Sequence, residues 1–251
     1  RVSGKGLDQL RKAGIEVNLG LCEKEAIEIN KSFIHRNLTS QSYGVLKWAM
    51  SMDGRIGLKN GKSKWITDDY SRSLVHSLRA DFDAIIVGGN TLRKDNPLLT
   101  SRGKKSPEPL RVVFTRTLNL PWERNLWNCA LAKTLVVYDE SSANEKYLDN
   151  LPSCVELAKV PSDNPKLLSQ LLAERGLNKI LWECGPNLAT SAIENGCIQE
   201  TIAFIAPKIL GGDSSMTPFA DFNFVDMNEV KVLNKGSIHL LNNDICIKNF
   251  L

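Results

Sequence analysis

The segment DAIIVGGNTLRKDNP (83–97) places polar side chains that could contact a phosphorylated ligand directly after an apolar run. Two glycines end the run, and Thr91, Arg93 and Asp95 follow closely. Glycine lets a ligand approach the backbone, while hydroxyl, guanidinium and carboxylate groups supply hydrogen bonds. A plain connecting turn would explain the same composition, because Gly, Asn and Asp are typical turn residues. The segment therefore predicts either a turn or the floor of a binding site.

A second glycine-bearing segment, WECGPNLATSAIENG (182–196), has the same ambiguity. Gly185 permits close backbone approach, Pro186 suits the first helical position, and Asn187 is the predicted cap of a helix that ends before Gly196. Free amides at that helix start favour a phosphate. Neither segment matches G-x-G-x-x-G or G-x-x-x-x-G-K-[ST], which argues against a standard Rossmann or Walker site.

Three charged residues could act on a ligand bound at these segments. Lys47 interrupts the apolar run YGVLKWAMS (43–51), so it either reaches water from an edge strand or points into a polar cleft. Glu183 ends a buried strand at a loop, where it would be a working carboxylate or a partner in helix capping. Arg79 closes a predicted helix, a position that favours any cation.

Alternating strand and helix patterns must position these residues. We predict a helix that opens with Thr67 as its cap and carries an apolar stripe, a helix over 164–176 and another from Asn187. The region 230–250 reads as an antiparallel meander of three strands. The other strands are predicted at 43–51, 84–88, 111–115, 134–138, 154–160, 179–183 and 200–206. This order indicates an α/β class with a mostly parallel sheet, in which ligands bind beyond the carboxyl ends of the strands.

The first 40 residues show a different pattern. Residues 4–17 predict a helix stopped at Gly14 and then a short strand, and residues 23–37 predict a second helix with Ile29 and Phe33 on one apolar side. The polar stretch NLTSQS (37–42) follows, so we place a domain boundary near residue 40. The chain starts with an arginine, and we therefore expect further sequence upstream.

Composition limits the class of function. The 251 residues are 42% apolar and 24% charged, and the net charge of +4 is spread along the chain. This balance does not suggest nucleic acid or a membrane surface as a partner, but it suits an anionic small molecule. No apolar run approaches the ~20 residues that a membrane-spanning helix needs.

The cysteines and histidines give no sign of a metal or disulfide framework. Both structures usually need closer spacing than this chain has, so we expect buried, reduced thiols and a reducing compartment. His35, His76 and His239 are isolated, and no metal site is predicted. The cysteines are Cys22, Cys129, Cys154, Cys184, Cys197 and Cys246.

Five motifs in order carry a family resemblance over roughly residues 43–251. They are LKWAMSMDGRIG, GKSKWIT, LRADFDAIIVGGNTLRKDNPLLTSR, LWECGPNLA and IAPKILGG. Together they resemble the reductase domain of riboflavin biosynthesis proteins, the 5-amino-6-(5-phosphoribosylamino)uracil reductases, which have a dihydrofolate-reductase-like fold. The stretch 2–36 looks like the tail of the deaminase domain that precedes this reductase in bifunctional members. The zinc-binding segments of that deaminase are absent, so deamination is not assigned to this chain.

The resemblance implies a reaction and its cofactor. NADPH reduces the opened ribosyl group at C1′, the 5′-phosphate is retained, and neither metal nor flavin is required. Lys47 and Glu183 are the candidates for steering protonation, with Asp95 as an orienting partner. The implied substrate residues are Ser63, Arg79, Leu99, Arg102 and Glu183. The implied cofactor residues are Ala49, Trp65, Thr91, Asp95 and the run Gly185, Pro186, Asn187, Leu188, Ala189, Thr190 and Ser191.

One departure from the family pattern concerns the cofactor. After RVVFT, bacterial relatives tend to have a small polar residue where this chain has Arg116. We predict that Arg116 lies near the 2′-phosphate of NADPH; the alternative is a solvated loop arginine.

Two other functions stay open from the sequence. The chain could reduce another pterin-like or pyrimidine substrate, or it could be a catalytically silent module that binds a cofactor for an adjoining domain. The family also suggests a homodimer built through the C-terminal strands, since edge strands need covering. An intracellular location follows from the expected thiols, and both cytoplasm and plastid stroma fit.

Overall fold

The computed structural model describes residues 4–212 and 216–251. Within them, nine strands form one sheet with the order β5-β4-β3-β2-β6-β1-β7-β9-β8. Strands β1 to β7 run parallel, and β9 and β8 continue the sheet as an antiparallel hairpin. The strands are β1 (Tyr43–Ser51), β2 (Ala84–Gly88), β3 (Leu110–Thr115), β4 (Thr134–Asp139), β5 (Glu156–Val160), β6 (Lys179–Trp182), β7 (Glu200–Ala206), β8 (Asn234–Leu241) and β9 (Asp244–Phe250). This sheet confirms the predicted class.

Helices accompany the sheet. They are α1 (Lys5–Lys12), α2 (Glu23–Thr39), α3 (Asp69–Arg79), α4 (Gly89–Asp95), α5 (Pro165–Glu174) and α6 (Pro186–Glu194). Short 3-10 helices lie at Asn125–Trp127, Glu145–Asn150 and Met227–Glu229. None of the helices in the described part of the chain is long and apolar enough to cross a membrane.

The core lies on both faces of the sheet because consecutive strand residues point to opposite sides. In β2, Ile85 and Val87 pack in one apolar cluster, while Ala84 and Ile86 pack in the other. All four side chains are fully buried. The strands therefore read as continuous apolar runs, as expected for a parallel sheet covered on both faces.

The ends of several elements differ from the predictions. Asp68, not Thr67, caps α3, and its carboxylate accepts a hydrogen bond from the Ser71 amide at 2.8 Å. Gly185, not Asn187, is the N-cap of α6. The short strand predicted directly after α1 is absent, since the residues between α1 and α2 form no strand. The predicted three-stranded meander contains two strands, because the residues before β8 pair with no neighbouring strand in the described region.

A charged contact holds the helix α2 to the first residues of β1 and β7. Lys31 Nζ lies 3.2 Å from a carboxylate oxygen of Glu200 and 5.6 Å from the centre of the Tyr43 ring. The predicted apolar side is not buried, since Ile29 is 81% exposed and Phe33 is 52% exposed. The domain boundary near residue 40 stays a prediction.

The expected set of buried, reduced cysteines is wrong at three positions, two of which are oxidised and one of which is exposed. Cys129 and Cys154 form a disulfide, with their Cα atoms 6.2 Å apart. The two residues are far apart in sequence and meet because the β3–β4 connection packs beside the start of β5. The remaining thiols are free: Cys197 and Cys246 are buried, Cys184 is half-buried and Cys22 is exposed.

Candidate active site

A cleft of about 930 Å³ lies at the carboxyl ends of β2, β3 and β6. The loops that leave these strands form its walls, as expected for an open parallel sheet. Its volume is at the upper end of the ~300–1,000 Å³ that small-molecule and cofactor sites usually have. Nine of the predicted site residues line it: Ser63, Thr91, Asp95, Arg116, Gly185, Pro186, Asn187, Leu188 and Ser191.

The GGNTLRKDNP segment is a short helix, not a plain turn. Gly88 ends β2, and α4 begins at Gly89. A side chain at Gly89 would place its Cβ 3.0 Å from Thr115 Oγ1, so this glycine lets α4 pack against β3. At Gly88 the nearest atom to such a Cβ would be a Leu188 methyl at 3.4 Å, and both residues line the cleft. Asp95 is the last residue of α4, and burial raises the pKa of its carboxyl group against the opposing charges of Lys64 and Lys94.

The start of α6 is an open hydrogen-bonding site. Gly185 has an extended conformation, and no side chain caps the helix. The first helical residues, Pro186, Asn187 and Leu188, line the cleft. Because the first amides of a helix have no partner within it, this end of α6 suits an anion such as a phosphate.

Four of the predicted cofactor residues do not line the cleft. Ala189 is 2% exposed and belongs to the core, and Thr190 Oγ1 accepts a hydrogen bond from the Ala220 amide at 2.9 Å. Ala49 is half-buried in β1. Trp65 is exposed, and the Arg72 guanidinium lies 4.4 Å from the centre of its ring. Their cofactor roles stay predictions.

A group of three charged side chains, Lys47, Arg79 and Glu183, lies beside the cleft. The Arg79 guanidinium donates to both carboxylate oxygens of Glu183, at 2.6 and 3.0 Å. Lys47 Nζ lies 3.8 Å from the same carboxylate. All three side chains are at most 15% exposed. We call this set the ion group.

The sheet explains how the ion group forms. β1 lies between β6 and β7, so the edge-strand explanation of Lys47 is wrong. Leu46 pairs with Trp182 at the end of β6, which places the next residues, Lys47 and Glu183, side by side. Arg79 reaches them from the end of α3. Glu183 is two residues before Gly185, which lines the cleft, so the backbone connects the ion group directly to the cleft wall.

The charges in the ion group shift one another's protonation. Burial alone would raise the pKa of Glu183, but the Arg79 and Lys47 charges and the Arg79 hydrogen bonds lower it to about 2. Burial lowers the pKa of Lys47, Glu183 raises it, and Arg79 lowers it further. The ion group therefore holds a firmly ionised carboxylate beside an ammonium that releases its proton more readily than a lysine in water.

Arg79 has few donors left for a ligand. Its Nη1 donates to the Thr100 carbonyl at 3.2 Å and lies 3.3 Å from His76 Nδ1. Leu99 is 2% exposed in the core, whereas Arg102 is exposed. Of the two predicted substrate arginines, Arg102 therefore has the freer guanidinium.

Sequence reasoning missed several residues of this region. His76 lies in the site because it is one helical turn before Arg79, a spacing visible in the sequence. Burial and the neighbouring charge of Arg79 lower the pKa of His76 to about 4. Asp163 and Asn164 line the cleft from the carboxyl end of β5, where the strand-end rule would have found them.

Comparison with known proteins identifies the family of the chain. Residues 42–246 match the model of a protein family described as the RibD C-terminal domain. Riboflavin biosynthesis protein RibD of Synechocystis is 40% identical over 239 residues, which is 95% of this chain and 64% of the relative. The chloroplastic riboflavin biosynthesis protein PYRR of Arabidopsis thaliana is 36% identical over 259 residues, 99% of this chain and 43% of the relative. The chain thus spans about two fifths to two thirds of these relatives.

A solved structure from Thermotoga maritima superposes on this chain with a TM-score of 0.85 at 27% identity. The superposition covers 99% of this chain and 68% of the Thermotoga chain. It is described as a diaminohydroxyphosphoribosylaminopyrimidine deaminase/5-amino-6-(5-phosphoribosylamino)uracil reductase. The extent of the family match, the identity to RibD and this superposition confirm the resemblance seen in the motifs. The chain belongs to the RibD C-terminal domain family.

Proposed function

We propose that this chain reduces 5-amino-6-(5-phosphoribosylamino)uracil to its ribitylamino product with NADPH, in riboflavin biosynthesis. The observation that carries the proposal is the buried ion group next to a cleft large enough for a dinucleotide. The family match and the reductase activity in the description of the Thermotoga protein support the choice of substrate.

The cleft residues fit a dinucleotide phosphate. The uncapped start of α6 offers amides to the pyrophosphate, and Gly88 and Gly185 leave the backbone accessible there. Arg116 is exposed at the cleft, where its guanidinium suits the 2′-phosphate that distinguishes NADPH from NADH. Thr91 and Asp95 supply further polar contacts in the cleft, where Thr91 Oγ1 would lie 3.7 Å from a Cβ at Gly185. When bound, NADPH supplies the hydride that reduces C1′.

Lys47 is the proton donor in this proposal. When the C1′–O4′ bond of the ribosyl group breaks, the nitrogen lone pair forms a C1′=N iminium, and O4′ takes the proton from Lys47 Nζ to become a hydroxyl. Hydride then adds to C1′, and the electron pair of the C=N bond returns to nitrogen. One proton and one hydride are consumed, which balances the reduction.

Glu183 and Arg79 prepare Lys47 for this step. The carboxylate keeps the buried ammonium charged and fixes its position, and Arg79 in turn fixes the carboxylate. Because Glu183 is ionised at any physiological pH, it acts as an acceptor and not as the acid. Ser63 lies on the wall of the cleft, where it would contact the substrate beside the cofactor, and Leu99 supports the substrate end from the core. Arg102 binds the 5′-phosphate, since it is the exposed one of the two substrate arginines.

We further propose a homodimer and a location for the enzyme. β8 is the last strand of the sheet, and Ile238 and Leu240 on it are 69% and 81% exposed. An apolar edge of this kind would be covered by β8 of a second copy.

The cytoplasm or the plastid stroma is the proposed location, supported by the chloroplastic Arabidopsis relative. Residues 1–40 are the proposed end of a deaminase domain, and 41–251 the reductase.

The test is loss of NADPH absorbance with the phosphoribosylamino pyrimidine, with a control without substrate. Lys47→Met should abolish turnover and keep NADPH binding, whereas Lys166→Met, at the exposed start of α5, should change neither. Turnover with another pterin or pyrimidine, and none with the phosphoribosylamino pyrimidine, would show that the proposed substrate is wrong. NADPH binding without any turnover would favour a silent module.

A further inference from the structure

Two segments that leave neighbouring strands meet beside the cleft. Residues 52–66, which we call the flap, lead from β1 towards α3, and residues 207–212 follow β7. β1 and β7 are adjacent and parallel, so both segments start at the same edge of the sheet. The flap contributes Ile56 and Ser63 to the cleft wall.

Asp53 joins these two segments. Its carboxylate accepts hydrogen bonds from the Leu210 amide at 3.1 Å and from the Gly211 amide at 2.7 Å. It also accepts one from the Ser51 hydroxyl at 2.5 Å, and Ser51 Oγ accepts the Arg55 amide at 3.0 Å. One carboxylate therefore ties the end of β1, the flap and the segment after β7 together.

The bonds to Asp53 require a charged acceptor with two oxygens. The hydrogen bonds from Ser51, Gly211 and Leu210 lower the pKa of Asp53 to about 2, so the group is ionised at neutral pH. An asparagine has the same shape but has one acceptor oxygen, and its amide group would face an N–H or O–H donor. The Asp→Asn exchange thus removes the negative charge and one of the two acceptor oxygens, and so weakens the contact without changing the size of the side chain.

Further contacts make the flap and its neighbour a single wall. The Met52 amide donates to the Lys208 carbonyl at 2.8 Å, and Lys208 Nζ donates to the Trp65 carbonyl at 2.9 Å. Gly57 forms a β-bridge with Met216, which itself lines the cleft. A Cβ at Gly57 would lie 2.7 Å from the Met216 side chain, so the approach is close.

We infer that Asp53 is a positioning residue: its carboxylate holds the flap against residues 207–212 so that Ile56 and Ser63 are already in place when the dinucleotide binds. The inference rests on the proposed function of the cleft. Without this tie, the flap must be ordered during binding, and the entropy of ordering reduces affinity. The effect belongs to binding and not to the hydride or proton step, because Asp53 touches none of the ion group.

The test is Asp53→Asn in the full chain. We expect faster hydrogen–deuterium exchange in the flap and in residues 207–212, a rise of about tenfold in KM and Kd for NADPH, and kcat close to that of the unaltered enzyme. Asp226→Asn is the matched control. Its carboxylate also accepts a hydrogen bond from a backbone amide, that of Asn228 at 2.8 Å, but it lies outside the flap and outside residues 207–212. The control should leave exchange in the flap and both constants unchanged.

Four results would overturn the inference. Unchanged exchange in the flap would mean that Asp53 does not hold it. Faster exchange with an unchanged Kd for NADPH would separate the flap from binding. A fall in kcat at constant KM, or a general loss of thermal stability, would assign Asp53 a different role. Absence of turnover in the unaltered chain would reject the proposed reductase alone, since exchange and the NADPH Kd would still decide the role of Asp53.

Discussion

Replacing Glu183 by Gln removes the central charge of the ion group while keeping the shape of the side chain. Arg79 would keep at most one of its two hydrogen bonds, now at 2.6 and 3.0 Å, because Gln has a single acceptor oxygen, and Lys47 would lose its counter-charge at 3.8 Å. Two mostly buried cations would then repel each other without compensation. Both stability and turnover should fall.

The stability loss follows from the pKa of Glu183. Its ordinary value of 4.5 is lowered to about 2 in the folded protein. At ~1.4 kcal/mol per unit, this ionisation stabilises the fold by about 3 kcal/mol. Breaking a buried ion pair by removing one partner typically costs about 3–5 kcal/mol, which agrees.

The sign of the pH dependence is also set. A carboxyl group with a lowered pKa in the folded state contributes its full stability above its ordinary pKa, and loses it as the pH falls towards the folded value. The difference in unfolding free energy between the unaltered chain and Glu183→Gln should therefore be largest at neutral pH. It should shrink steadily as the pH falls from 4.5 towards about 2.

Turnover should fall by about 10²–10⁴, with NADPH binding little altered. Glu183 raises the pKa of Lys47, so its removal lowers that pKa further and Lys47 loses its proton at a lower pH. The alkaline limb of the pH–rate profile should move to lower pH in the variant. This displacement distinguishes loss of the proton donor from a general loss of structure.

Urea unfolding followed by tryptophan fluorescence measures the first effect, and NADPH oxidation across a pH series measures the second. Glu194→Gln, at the exposed end of α6, is the control and should match the unaltered chain in both. Nearly normal turnover in Glu183→Gln would remove Glu183 from the mechanism. A stability loss that grows on acidification would refute the pKa argument.

Three further predictions concern other parts of the chain. Arg116→Ala should lower the preference for NADPH over NADH about tenfold, because a charge-assisted hydrogen bond is lost. If the ratio of kcat/KM for NADPH to kcat/KM for NADH is unchanged, Arg116 is a solvated loop residue that does not contact the 2′-phosphate. Arg111→Met should lower the unfolding free energy by about 3 kcal/mol or more, because buried carbonyls lose their donor; urea unfolding close to that of the unaltered chain would contradict this. Reducing the Cys129–Cys154 bond should lower the unfolding free energy by about 3 kcal/mol, and an unfolding midpoint insensitive to dithiothreitol would oppose it.

Arg111 shows what sequence patterns do not reveal. It reads as the polar first residue of the strand RVVFT, yet its side chain is fully buried. Its guanidinium donates to the carbonyls of Leu126, Asn128 and Ala132 at 2.8, 3.0 and 2.6 Å. These partners lie in an irregular loop, whose path no periodicity predicts.

The strands, in contrast, were predicted closely because their signal is local. AIIVG is an apolar run bounded by polar residues, and it forms β2 at Ala84–Gly88 as expected. Caps were less predictable, since Thr67 and Asp68 are adjacent candidates. The structure selects Asp68, whose amide also donates to Asp244 Oδ2 at 2.9 Å, a partner near the other end of the chain.

In the candidate site, too, some features follow from local sequence patterns and others depend on tertiary contacts. The resemblance grouped Gly185 to Ser191 as one run, but a helix turns by about 100° per residue and separates its members into faces. Asn187, Leu188 and Ser191 line the cleft, while Ala189 and Thr190 face the core. This sorting was available from the helical period once the helix was predicted. The Arg79–Glu183 pairing was not, because it depends on how α3 and β6 meet.

The strand order has a consequence for synthesis of the chain. β6 lies between β1 and β2, but Lys179, its first residue, leaves the ribosome long after β2 is complete at Gly88. At about 5–20 residues per second, the facing edges of β1 and β2 stay unpaired for several seconds. A product truncated before β6 keeps both edges open and carries Lys47 without its counter-charge. Such fragments should aggregate, and the sheet closes only when most of the polypeptide has been made.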